Sequence, residues 1–158
     1  MNALEALVLQ RAREGRNLIR KHDPLKVVFV GDFYGVFHYN TQIAIGLKGE
    51  PPFAFNIHGW ETRTTIDHCR ALGFGLYKEK LCVGRVRNPK THRMNKVVWD
   101  VYCVHGKPLG EVKGLELKYR YNDWYSPDGE RLGVDTEAFE LFSKSYTFSD
   151  FLHSIGKS

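Results

Sequence analysis

The chain has 158 residues, of which 42% are hydrophobic and 13% aromatic, and it carries a formal net charge of +5. This size suits one globular domain, and the apolar content argues against a disordered chain. The apolar run Val27–Val30 has four residues, against the roughly 20 that a membrane-spanning helix needs, so no span is expected. Three cysteines without paired spacing and a start without a secretory leader predict a reduced, cytoplasmic protein.

The positive charge is concentrated in two segments. Residues 78–96 have a net charge of +6 and residues 1–26 have +3, whereas residues 97–158 have −3. A local excess of this kind favours an anionic partner through long-range attraction. The alternative is a solvated surface loop whose counter-charges lie elsewhere in the fold.

The first half of the chain predicts a helix followed by strands. The opening residues form an amphipathic helix up to the Asp23-Pro24 step, and a second face of that helix bears Arg13, Arg16 and Arg20. Gly15 weakens the middle of this helix. β-Branched and aromatic runs then predict four strands, at Leu25–Val30, Phe33–Tyr39, Ile43–Leu47 and Phe53–Ile57, with Gly31-Asp32 as a tight hairpin turn between the first two.

The second half predicts a central helix, a hairpin and a helical C-terminus. Thr64–Leu72 is the helix, and Lys80–Arg87 and Lys96–Val104 are the arms of the hairpin around a polar, basic tip. Val97, Trp99, Val101 and Cys103 share one face, which is expected to point to the core. The remaining elements are a strand at Leu109–Tyr121, perturbed at Gly114, and short helices at Thr136–Phe142 and Phe148–Ile155. The expected fold is a single α+β domain with an antiparallel sheet, an N-terminal helix, one short central helix and two short C-terminal helices.

One stretch carries a recognisable pattern. Residues 33–73 contain Tyr39, Thr41, Ile43 and Ala44, followed by Trp60, Thr62, Thr64, Thr65 and His68. This stretch resembles a small domain of unknown function in hypothetical proteins of tailed bacteriophages. The resemblance implies a phage-type origin, the host cytoplasm as the place of action, and a host-takeover or anti-defence role. Read physically, Thr62, Thr64 and Thr65 cap a helix, while Tyr39 and Trp60 fill a sheet face.

The enzymatic hypothesis is a nuclease site. Asp100 on one strand and Glu116-x-Lys118 on the next resemble the restriction-endonuclease-like pattern, in which carboxylates hold Mg²⁺ and a lysine helps to activate water. Glu5 or Glu14 could supply a helical carboxylate. The order of elements does not match that fold, and Asp100 could instead pair across the hairpin with Arg85 or Arg87.

A metal or thiol centre has less support. No C-x-x-C or H-x₃-H spacing is present, and Cys69, Cys82 and Cys103 are each flanked by apolar residues, where cysteine behaves as a small buried hydrophobe. No glycine spacing typical of a nucleotide cradle occurs. No cofactor is therefore expected, apart from Mg²⁺ if the nuclease hypothesis holds.

The leading hypothesis is a non-enzymatic accessory protein that contacts nucleic acid through its basic β-hairpin and first helix. Its contact residues are Lys80, Arg85, Arg87, Lys90, Arg93 and Lys96, together with Arg13, Arg16 and Arg20. The second hypothesis is an inhibitor of a host or anti-phage defence protein, whose basic segment docks onto an acidic or nucleic-acid-binding surface, with exposed Trp124 and Tyr125 as anchors. Core packing is the alternative for these two aromatic residues.

Overall fold

The computed structural model describes residues 1–57, 63–109, 111–113, 116–118, 124–132 and 148–154. These residues form an α+β fold with three antiparallel sheets, as the sequence predicts at the level of fold class. Among them, no helix is long and apolar enough to cross a membrane. The predicted helix Thr136–Phe142 lies outside the described residues.

The N-terminal helix is shorter than the sequence predicts. Helix α1 spans Ala3–Glu14 and begins at a capping box, in which Asn2 and Glu5 exchange hydrogen bonds with each other's backbone N–H. It ends at Gly15, whose φ of 72° supplies the left-handed cap, and not at Pro24. Arg16 and Arg20 therefore lie beyond the helix, and the expected face of three arginines on α1 does not exist.

The main sheet contains β1 (Leu25–Val30), β2 (Phe33–His38), β3 (Thr41–Leu47) and the two-residue β4 (Ala54–Phe55), paired in chain order. Helix α2 spans Arg63–Ala71. Both faces of the sheet are covered. One core combines residues of the sheet with Val8 and Ala12 of α1, Ile66 and Cys69 of α2, and Tyr125. The other contains Val28, Phe37, Ile45 and Trp124, with Phe148 of helix α3 (Phe148–Ser154) packed against it.

The second sheet is a long hairpin with a short third strand. Strands β5 (Tyr77–Arg87) and β6 (Met94–Val104) have eleven residues each, and β7 (Lys107–Pro108) pairs only with Cys103 and Val104. The predicted hairpin is therefore confirmed, with longer arms. We call its two paired strands and their connection, residues 77–104, the ribbon.

The predicted single strand Leu109–Tyr121 is instead a small hairpin. Strands β8 (Glu111–Lys113) and β9 (Glu116–Lys118) pair antiparallel with each other as a separate two-stranded sheet. Gly114 follows β8 in the sequence, at the point where the sequence analysis predicts only an interruption of a single strand.

Candidate nucleic-acid interface

The outer part of the ribbon lies outside the hydrophobic core. At its base Val101 and Cys103 are 1% and 3% exposed, and they belong to the face that was expected to point to the core. Farther out on that face Val97 is only half-buried and Trp99 is 42% exposed. The expectation is therefore right for the base of the ribbon and wrong for its outer half, because no described element covers the strands there.

A β-bulge determines which side chains share a face of the ribbon. Cys82 pairs with Val98 and Gly84 pairs with Val97, so Val83 is an extra residue in β5. In a regular strand, side chains alternate between the two faces, which would separate Lys80 from Arg85. The extra residue shifts the alternation by one, and the cations on the two sides of the bulge consequently face the same way.

The register defines two faces of opposite character. Directly opposed residues project to the same side of an antiparallel pair. The basic face of the ribbon bears five cations, Lys78, Lys80, Arg85, Arg87 and Lys96, together with Cys82, Met94, Val98, Asp100 and Tyr102. The opposite face bears Tyr77, Glu79, Leu81, Gly84, Val86, Asn95, Val97, Trp99, Val101 and Cys103, so Glu79 is its one charged residue.

The cations of the basic face are exposed to solvent. All five side chains are exposed, and within the described residues none of them contacts a carboxylate at ion-pair distance. The Lys78 ammonium lies 5.6 Å from the centre of the Tyr102 ring, as a cation–π contact. Lys90 and Arg93 are also exposed, in the connection between the strands. All six cations predicted on the hairpin are therefore exposed.

The arginines of the N-terminal segment are different. Arg16 forms an ion pair with Glu14 at 3.3 Å, and Arg20 forms one with Asp23. Of the three predicted contact residues, only Arg13 lies on α1, where it is exposed. The structure thus leaves two of the three predicted N-terminal contact residues with acidic partners of their own.

Trp124 and Tyr125 cannot act as exposed anchors. Each is 6% exposed, and the backbone of Tyr125 exchanges two hydrogen bonds with that of Phe55, at 2.8 and 2.9 Å. The prediction that they form a protein-binding surface is wrong, and core packing, the alternative reading, is correct. Two adjacent aromatic residues in a turn-rich loop do not by themselves indicate whether their side chains face the core or the solvent.

The three residues of the nuclease hypothesis lie on different sheets. Asp100 is an exposed residue of β6, whereas Glu116 and Lys118 belong to β9, where only the backbone is described. In the strand register Asp100 lies opposite Lys80, and not opposite Arg85 or Arg87, so the suggested cross-strand pairing is wrong. Glu5 instead contacts His68.

A buried polar cluster that sequence reasoning missed joins α1, α2 and β2. The Nδ1 atom of His68 lies 2.7 Å from Oε2 of Glu5, and both residues are 5% exposed. The ring of His38 packs edge-on against that of His68, with 5.0 Å between centroids, and its Nδ1 lies 3.2 Å from the hydroxyl of Thr65. The Nε2 atoms of both rings are buried, and neither has a hydrogen-bond partner in the part of the chain that the structure describes.

The environment shifts the pKa values of two members of this cluster. Burial raises the pKa of Glu5, but the backbone N–H of Asn2 and the His68 ring outweigh burial and lower it overall. Burial, with His68 nearby, lowers the pKa of His38 to about 4. His38 is therefore neutral at neutral pH, and the Glu5–His68 contact holds α1 against α2.

An open cleft of about 430 Å³ lies beside this cluster, lined by His38, Tyr39, Asn40, Thr41, Ile43, Thr64 and Thr65. Tyr39 is 62% exposed, with a left-handed φ of 53°, so the expectation that it fills a sheet face is wrong. Trp60 lies outside the described residues. Among the residues that are described, no three His, Cys, Asp or Glu side chains come together as a metal site.

The cysteines divide into two environments. Cys69 and Cys103 are buried, as the sequence predicts, whereas Cys82 is exposed on the basic face of the ribbon. Burial raises the pKa of the Cys69 thiol to about 12, and burial together with Glu79 raises that of Cys103. Cys82 is thus the accessible thiol of the three.

Comparison with known proteins found no matching family model, no matching curated protein and no matching solved structure. The resemblance of residues 33–73 to a phage domain therefore stays a prediction, and function has to be argued from the geometry of the ribbon.

Proposed function

We propose that this protein is an accessory protein that binds nucleic acid through the basic face of the ribbon. The observation that carries the proposal is the bulge at Val83, which brings five exposed cations onto one face and leaves none on the other. Lys90 and Arg93 extend the positive surface around the end of the ribbon. A polyanion bound along the ribbon would contact cations over the whole length of the basic face.

The arrangement of the cations has a cost in the free protein. Arg85 lies directly opposite Lys96, and like charges in that position destabilise an antiparallel pair. No described carboxylate forms an ion pair with either of them. An anionic ligand would relieve the repulsion on binding, and phosphate groups are the ligands that such a surface favours.

A salt titration tests the proposal directly. Affinity for a labelled 30-base-pair DNA duplex is measured by fluorescence anisotropy at several salt concentrations, for the wild type and for the triple variant Arg85→Ser, Arg87→Ser, Lys96→Ser. Each phosphate contact contributes about 0.9 to the slope of log K against log salt on duplex DNA, so the slope is expected to shrink by roughly two to three.

The matched control is the triple variant Arg13→Ser, Arg16→Ser, Arg20→Ser, which removes the same formal charge from the N-terminal segment. Because Arg16 and Arg20 already have acidic partners, we expect this control to lose much less affinity and slope. Equal losses in the two triple variants would mean that net charge, and not the ribbon, determines binding. Absence of binding by the wild type at low salt would reject the proposal.

Two variants that remove the bulge separate geometry from charge. Deletion of Val83 makes β5 regular and leaves the five cations on one face, because Gly84 and Arg85 keep their partners. Insertion of one valine between Val97 and Val98 also makes the ribbon regular, but it turns Arg85, Arg87 and Lys96 to the opposite face. Both variants keep the formal charge. We expect the deletion to preserve binding and the insertion to weaken it.

The other two hypotheses stay as predictions. An inhibitor of a host or defence protein would need a surface other than Trp124 and Tyr125, since both are buried. A stoichiometric protein partner retained from a nuclease-treated bacterial lysate would favour that role over nucleic-acid binding. For the nuclease, cleavage of plasmid with Mg²⁺ that is lost in Asp100→Ala is the required result.

A further inference from the structure

The connection at the end of the ribbon is held in a defined shape by hydrogen bonds. The N–H of Asn88 donates to the carbonyl of Arg93 at 2.8 Å, and the N–H of His92 donates to the carbonyl of Asn88 at 2.8 Å. The side-chain oxygen of Asn88 accepts from the N–H of Lys90 at 2.9 Å. We call residues 88–93 the tip.

Pro89 gives the tip a rigid, apolar point. Its side chain is exposed, its ring fixes φ, and it has no N–H to leave unpaired. Arg87 precedes it by two residues, Lys90 follows it, and Arg93 lies across the turn. The exposed proline ring therefore has cationic residues on both sides of it along the chain and across the turn.

The tip also lies far from the core. From the Lys80–Asp100 pair to the Arg87–Met94 pair, no residue whose side chain is described is buried. At roughly 3.3 Å per residue, this outer part of the ribbon is about 20 Å long. The tip can consequently enter a groove without bringing the main sheet against the ligand.

We propose that the ligand is duplex DNA, and that Pro89 inserts between stacked base pairs from the minor groove and bends the duplex. This inference rests on the proposed function and specifies its ligand. Proteins that bind the minor groove use proline or other apolar side chains as wedges, and the resulting kink points toward the major groove. Arg87, Lys90 and Arg93 then contact phosphates on either side of the opened step.

The undistorted major groove admits a two-stranded ribbon directly, so entry from the minor groove requires the bend that this inference includes. The undistorted minor groove is about 6 Å wide, whereas two paired strands with their side chains need more, so the ribbon fits there only where a kink has opened the groove. A single strand offers no stack of base pairs for a wedge to open. The A-form RNA duplex has a shallow minor groove of another shape, so RNA duplexes are expected to bind more weakly.

The test measures bending separately from binding. A 30-base-pair DNA duplex with a donor and an acceptor dye at its ends is titrated with the full-length protein, and energy transfer is recorded with anisotropy. The wild type is expected to increase energy transfer on binding. Pro89→Ala is expected to lose most of that increase and to keep affinity within about threefold, because every cation is still present.

Pro51→Ala is the matched control, since Pro51 is an exposed proline in the loop between β3 and β4, and it should leave both signals unchanged. Single-stranded DNA and duplex RNA of the same length serve as competitors. Binding without bending, bending that persists in Pro89→Ala, or preference for either competitor would overturn this inference while leaving nucleic-acid binding in place. Absence of binding to all three would remove the proposed function as well.

Discussion

Arg85 and Lys96 lie directly opposite each other on β5 and β6, with their side chains on the same exposed face. This pair makes stability and binding respond in opposite directions to one substitution. In Lys96→Glu, the repulsion becomes an attraction worth up to about 1 kcal/mol, so the thermal midpoint is expected to rise slightly. Affinity for nucleic acid should fall together with the salt slope. Thermal unfolding and anisotropy on the same preparation check both effects, and Lys96→Gln separates loss of charge from its reversal. A variant that binds as well as the wild type would contradict a role for Lys96.

The rate at which a thiol reagent modifies Cys82 can show whether a ligand covers the basic face, and this measurement needs no substitution. In the native protein we expect a thiol reagent to modify this cysteine and to spare Cys69 and Cys103, because those two are buried and their pKa values are raised. Denaturant should make all three reactive. Saturating duplex DNA should slow the modification of Cys82 several-fold, as followed by mass spectrometry. Cys82→Ser is the control, and it should show almost no modification in the folded state. Unchanged kinetics with DNA bound would place the ligand elsewhere.

The stability of the main sheet depends on Gly46. This residue lies opposite Tyr34, and a Cβ at position 46 would be 2.3 Å from the Cζ atom of the Tyr34 ring. Tyr34 is fully buried and donates its hydroxyl hydrogen to the carbonyl of Glu50 at 2.7 Å, so it cannot move aside easily. Gly46→Ala is expected to lower the free energy of unfolding by about 1–3 kcal/mol. Gly75→Ala is the control in urea denaturation, because a Cβ there meets nothing within 4 Å. Equal effects would contradict the packing described.

The buried cluster predicts a decline of stability in acid that has two stages. The pKa of His38 is about 4 in the folded state against 6.5 as its ordinary value, so the unfolded state takes up this proton first and stability falls between those values. The pKa of Glu5 is lowered from 4.5, so its carboxylate stabilises the fold above pH 4.5 and that contribution disappears below it. Urea midpoints measured from pH 8 to pH 3 test both stages.

Substitutions assign the two stages to their residues. His38→Asn should flatten the dependence between pH 6.5 and about 4, and Glu5→Gln should act mainly below pH 4.5. His22→Asn is a suitable control, because His22 is exposed and forms no ion pair within the described residues, whereas His105 lies 3.6 Å from Asp128. An unchanged profile in His38→Asn would show that His38 titrates normally in the folded protein.

The sequence predicted local structure well where chemistry within a few residues decides it. Gly31-Asp32 marked a hairpin turn, and alternating apolar residues marked the arms of the ribbon, both of which the structure contains. The sequence analysis places Gly15 inside a longer helix, whereas in the structure this residue terminates α1. The sequence alone does not distinguish a glycine in a left-handed cap from a glycine in the interior of a helix.

The candidate interface was predicted in composition but not in geometry. The sequence shows that residues 78–96 carry an excess of positive charge. The bulge that places these cations on one face depends on how Cys82 and Gly84 pair with β6, which the sequence does not reveal. Strict alternation would have divided these cations between the two faces. The Glu5–His68 contact joins residues 63 positions apart, and no local pattern could have predicted that distance in space.

The way the ribbon is attached also constrains how its length can change. Within the described residues, the outer parts of β5 and β6 pair only with each other. Adding one residue to each strand would therefore turn every side chain beyond that point to the opposite face, whereas adding two would restore the original faces. Natural versions of this protein with longer or shorter arms should therefore differ by whole two-residue repeats, or else gain or lose a compensating bulge. The reach of the arm can evolve in such steps while the buried sheet stays untouched.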